Sequence, residues 1–279
     1  MKKGGYRQLS HGFTMVEVLI VLAVTSSLLI VAMVIISGRL QRTEFAVGSR
    51  QIRQDIEKVF NEASSGFSGS RANFGCSGSI SGSAPVISGS VKSQGRNSSC
   101  VFLGKVIVLG DYPIRQGTLR VIPLAGNRVI NDAGRPRNVE GFNEARPTAI
   151  APTEDGSTIP DQSERLPLPS GFEFYRAWTV GLDTSPSPAF AVAVLAGVAG
   201  GEAQYFSIYG IKDWSPDEDM ESEVSAINAA TSPSDSNYRK YDAIHLCFAH
   251  QGTKQSVELI LGRDGGLGIQ TEIREGTTC

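Results

Sequence analysis

The chain has 279 residues with 26 basic and 28 acidic side chains, a net charge of −2. That length accommodates one medium domain plus accessory segments, and no long basic run leaves a footprint for nucleic acid. With three histidines and no Gly-x-Ser-x-Gly elbow, phosphate loop or His-Glu-x-x-His helix, the expectation is a non-enzyme without a cofactor or resident metal.

In chain order, a short basic leader carrying Lys2, Lys3 and Arg7 precedes Gly12 and Phe13. An apolar run follows. From Val18 to Ile36 only Thr25, Ser26 and Ser27 are polar. As a helix those residues reach roughly 28 Å, close to a hydrocarbon thickness of about 30 Å. A secretory signal peptide is a poorer fit, because its apolar core is shorter and ends in a small-x-small cleavage site, which Ser37-Gly38-Arg39 does not match. One carboxylate, Glu17, sits at the start of this run, where a charge in hydrocarbon costs roughly 2.5 to 3.5 kcal/mol on insertion scales. Either Glu17 is incidental to a plain signal anchor, or it has a partner. The hydroxyls at 25 to 27 either bond across helices or bond back to their own helix, and the second is expected.

The combination of basic leader, Gly12, Phe13, Thr14, an acid at Glu17 and an apolar helix resembles the class III signal of type IV pilins and pseudopilins. The resemblance covers about the first 40 residues. It implies that a prepilin peptidase cuts between Gly12 and Phe13 and N-methylates Phe13, with Gly12 the last leader residue and Glu17 the fifth mature position. It also implies a role for Glu17 in assembly, since the new α-amine of one subunit can lie beside the carboxylate of its neighbour, and buried charges persist when paired. The partners so implied are other pilin or pseudopilin subunits, the peptidase, the inner-membrane assembly platform and, before assembly, the lipid bilayer. The implied location is the cytoplasmic membrane, single-pass with the N-terminus inside, and then an extracellular pilus or pseudopilus. Losing Lys2, Lys3 and Arg7 with the leader takes the net charge from −2 to −5.

The expected fold class is α+β and pilin-like, with a long N-terminal helix packed on an antiparallel sheet domain. Residues 1–12 are leader, 13–38 the membrane and assembly helix, and 39–65 its amphipathic continuation. Phe45, Ile52, Ile56, Val59, Phe60 and Ala63 recur at helical spacing, with Arg53/Glu57 and Lys58/Glu62 as four-apart charge pairs and Ser64-Ser65-Gly66 as the stop. Residues 66–99 form a connecting loop; between 64 and 99, 20 of 36 positions are Gly or Ser. Residues 100–279 are the β-rich head.

Within the head, strands are expected at 101–109, 118–124, 172–180, 189–198 and 205–211. The segment 126–170 reads as a polar, Pro-rich excursion without sustained period. A short helix is expected from the Ser215-Pro216-Asp217-Glu218 cap signal to about Ala230. Its acids, between Asp217 and Glu223, suit a helix N-terminus, with calcium as the alternative. Asp264-Gly265 marks a hairpin between 256–261 and 267–273, with 243–248 as neighbour.

Four cysteines suit an oxidising compartment and allow three pairings, of which the sequential one, Cys76–Cys100 and Cys247–Cys279, is favoured. A C-terminal disulfide loop is also similar to many pilins. A metal site on His245, Cys247 and His250 is disfavoured, since on a strand 250 points away from the other two. The alternative function is a pilus-tethered adhesin whose 126–170 excursion binds a surface ligand.

Overall fold

The computed structural model describes residues 14–66, 75–77, 86–88, 100–110, 117–140, 142–150, 163–180, 190–195, 207–211, 239–240, 243–262, 268–276 and 279. It falls into two compact units, residues 1–46 and 47–279. One helix, α1 (Met15–Ser64), runs 50 residues. Its start is set by Thr14, whose hydroxyl accepts the Glu17 amide at 3.3 Å while its carbonyl accepts the Val18 amide. Its end falls at the Ser-Ser-Gly stop, with Gly66 at φ 70°. Phe45, Ile52, Ile56, Val59, Phe60 and Ala63 are all buried.

The second unit is antiparallel β throughout its described strands. Beyond the short pair β1 (Gly75–Ser77) and β2 (Val86–Ser88), β3 (Cys100–Leu109) and β4 (Thr118–Asn127) form the centre of a seven-stranded sheet. A hairpin, β5 (Val129–Asp132) and β6 (Arg135–Asn138), leads to a single helical turn, α2 (Phe142–Ala145). The strands β7 (Thr148–Ala149) and β8 (Glu164–Pro167) then both return to β4. The other flank is built by β10 (Phe190–Leu195), β11 (Ser207–Ile211) and β12 (Arg239–Lys240), giving the order β12-β11-β10-β3-β4-β7 with β8 also on β4. A separate four-stranded sheet has the order β15-β14-β13-β9, from β9 (Phe172–Thr179), β13 (Ile244–His250), β14 (Gln255–Leu261) and β15 (Ile269–Glu275).

The central strands of the seven-stranded sheet, β3, β4 and β10, are buried on both faces, which is why they read as continuous apolar runs rather than alternating ones. Lys105 faces α1, where its ammonium bonds the Glu62 carboxylate. On the opposite face, Val106, Val108, Ile122, Leu124, Ala191, Ala193 and Leu195 pack with Val139, Ala145 and Ala149. The excursion expected to be polar and irregular therefore supplies one lid of the core. Its periodicity is hidden because each element is four residues or fewer.

Two glycines permit close approaches. A Cβ at Gly104, where β3 bulges at φ 147°, would stand 2.0 Å from the Val194 carbonyl oxygen. One at Gly48 would stand 2.4 Å from Phe172 Cε2, so the bare helix surface there admits the aromatic ring of the four-stranded sheet.

Candidate functional site

Met15–Met33 is the only helical stretch among the described residues long and apolar enough to cross a membrane, and none of it is buried within the chain. Its large apolar side chains, from Val16 and Leu19 through Ile30 and Met33, stand exposed all round the helix. An apolar surface of that kind is stable in water only when lipid or other helices cover it. Thr25 bonds back to the carbonyls of Val21 and Leu22 at 2.8 and 3.1 Å, so its hydroxyl is satisfied locally. Gly12 and Phe13 lie outside the described residues.

Glu17 is exposed in the first turn of α1. Thr14 and Glu17 occupy the first and fourth positions of a Thr-x-x-Glu capping box, and the hydroxyl half of that box is formed. A carboxylate there is also favoured by the partial positive charge of the helix start. This cap is a feature the sequence reading passed over, although Thr14-Met15-Val16-Glu17 spells it out. Only the amide of Glu17 takes part in that bond, and its carboxylate stands exposed on the apolar surface.

Further along α1, the second unit carries a chain of opposite charges. Lys105, 2% exposed, bonds Glu62; Glu62 lies 3.8 Å from Lys58; and Lys58 reaches Glu164 of β8 at 2.6 Å. The hydrogen bond to Glu164 holds the Lys58 ammonium above its ordinary range. Burial, only partly offset by Lys58, pushes the Asp55 carboxyl up. Beside these groups runs an open groove lined by Gln54, Glu57, Asn61 and Ser65. Glu57 on its wall is paired with Arg53 at 2.7 Å and the Ser65 hydroxyl bonds the Glu62 carbonyl, and the walls converge on no enclosed site.

Two more polar clusters are structural in geometry. Arg137 ties the β5–β6 hairpin to α2 through Asp132 at 3.1 Å and Glu144 at 2.6 Å. Its hydrogen bonds hold Glu144 below the usual carboxylate range and push the Arg137 guanidinium up. On the outer face of the four-stranded sheet, fully buried Glu258 bonds His245, and Arg274 Nε lies 2.5 Å from its second oxygen. His245 stacks on Trp178 at 5.1 Å, and Arg176 sits 5.4 Å from the Trp178 ring centre. His245 thus links the Glu258 carboxylate to the Trp178–Arg176 stack, while Arg274 stays 45% exposed.

Cys247 and Cys279 are joined by a disulfide with Cα atoms 5.9 Å apart. Cys100 is also disulfide-bonded, while the Cys76 side chain lies outside the described residues. His245 and Cys247 share the outer face of β13, and His250 lies on the inner face against Phe172, so the three do not converge. The acids between Asp217 and Glu223, with the helix expected there, fall outside the described residues.

No family model matches the chain, and neither a curated protein nor a solved structure matches it.

Proposed function

We propose that the chain is a structural subunit of a type IV pilus or of a type II secretion-like pseudopilus. A minor subunit is the better reading, since the head is large for a repeating shaft protein. The observation that carries the proposal is an exposed carboxylate, Glu17, the one charge on a helix that is exposed and predominantly apolar over Met15–Met33. The α1-plus-antiparallel-sheet architecture is compatible with it, and the class III signal around Gly12 and Phe13 supplies its chemistry. In this reading the peptidase releases a cationic amine at Phe13. The helix waits in the cytoplasmic membrane with the head outside. On assembly, Glu17 meets the amine of an adjacent subunit and sets its axial position, as a single buried polar residue sets register in a coiled coil.

The capping box supplies a stringent test. Glu17→Gln keeps a side chain that can serve the cap but removes the charge. The variant should be cleaved and inserted normally, and its incorporation into filaments should fall at least tenfold. Undiminished incorporation would contradict the charge-pair role and leave Glu17 as a capping residue alone. The adhesin alternative loses its proposed organ in part, because Val139, Ala145 and Ala149 of the 126–170 excursion are core residues rather than a free surface.

A further inference from the structure

The strand β15 pairs with β14 and, among the described residues, with nothing on its other side. Charged residues on an edge strand ordinarily discourage pairing with another chain. Here their order is selective instead. Glu272 and Arg274 are 47% and 45% exposed on the outer face, and between them Ile273 stands 58% exposed on the other face. Among the described residues of the head, no other large apolar side chain is as open.

We infer that β15 is the contact between two copies of this chain, joined antiparallel about a two-fold axis through Ile273. A two-fold axis perpendicular to a continuous sheet keeps each side chain on its own face. The axis must therefore pass through a residue and not between two. Centred on Glu272, it sets Glu272 against its own copy; centred on Arg274, it sets two arginines together. Centred on Thr271, it leaves Arg274 without an acid opposite. Centred on Ile273, it sets Glu272 opposite Arg274 twice, Ile273 against Ile273, and Thr271 opposite Glu275. That register alone combines two opposite-charge pairs, an apolar pair and no like-charge pair. Arg274 can serve it without abandoning buried Glu258, because Nε holds Glu258 while Nη2 already lies 3.3 Å from a Glu272 carboxylate and can turn to the partner's. A single strand edge is a small interface, so the pairing is a transient one.

Cross-linking of the full chain in detergent tests this. No described native cysteine is free, so one introduced thiol reports alone. Ile273→Cys under mild oxidation should give a disulfide-linked dimer on a non-reducing gel. Adding Glu272→Lys, which sets a cation against the partner's Arg274, should lower the yield about fivefold. Thr271→Cys and Glu275→Cys chains should each stay monomeric alone and cross-link when mixed, because those positions face each other across the axis. Val180→Cys, exposed at the end of β9, sets the collision background. An Ile273→Cys yield no higher than that background, a yield indifferent to Glu272→Lys, or a mixture that fails to cross-link overturns the inference. An edge that receives a strand of a different protein gives the first of these results.

Discussion

At the scale of single residues, two carboxylates, Asp55 on α1 and Glu144 on α2, divide by the sign of what folding does to them. Burial raises the Asp55 carboxyl, so the fold prefers its protonated form. That preference stabilises the protein below the ordinary carboxylate range and is lost as pH rises through the raised value. Asp55→Asn should therefore raise the melting temperature at neutral pH by a few degrees, with the gap to the parent closing as the solution is acidified toward pH 3. Glu144 shows the opposite sign. Its bonds to Arg137 lower its pKa, so the pair contributes above the ordinary carboxylate range and is lost as pH falls through the lowered value. Glu144→Gln should cost stability at neutral pH, with the gap to the parent narrowing as acidification passes through the lowered value, and paired thermal melts across that range check both variants.

At the scale of elements, two devices hold the head together, and each predicts an asymmetry. The first is the buried pair between α1 and β3. Glu62→Gln leaves Lys105, 2% exposed, without its counter-charge, whereas Lys105→Met leaves Glu62, 17% exposed and still 3.8 Å from Lys58. Stranding the deeper charge should cost on the order of 3 to 5 kcal/mol, and Lys105→Met less than half of that, since a long apolar chain fills the same space. Denaturant melts that show equal losses would contradict the ranking. The second is the Cys247–Cys279 bridge, which spans 32 residues and closes the chain after β15 back onto β13. Replacing both cysteines by serine should cost about 3 to 4 kcal/mol in the chain-entropy description, with β15 the first element to lose amide protection in hydrogen exchange.

At the scale of the whole molecule, legibility followed the length of each element. The 50-residue helix, its buried stripe from Phe45 to Ala63 and its Gly66 stop are written in the residues. So are the long strands β3, β4, β9, β13, β14 and β15, and the α+β class with them. Assignment to two separate sheets was not legible, because β9 pairs with β13, some 70 residues on, rather than with β10. Nor was the folding of 129–150, where Val139 and Ala145 are single apolar residues in elements too short to show a period. The Lys105–Glu62 contact was hidden for a related reason, since a lysine in an apolar strand declares nothing about which of many carboxylates it meets. At the candidate assembly site, Glu17 stands out in the sequence by its setting, whereas the Thr14-to-Glu17 cap is obscured there by the apolar run that surrounds the acid.

The central claim is that this chain is cut before Phe13 to free a cation that Glu17 of an adjacent subunit receives. Mass spectrometry of the N-terminal peptide, taken from cells that contain a prepilin peptidase, tests it most directly. The account predicts a peptide beginning at N-methylated Phe13. A peptide beginning at Met1, or cut at any bond other than Gly12–Phe13, would contradict it.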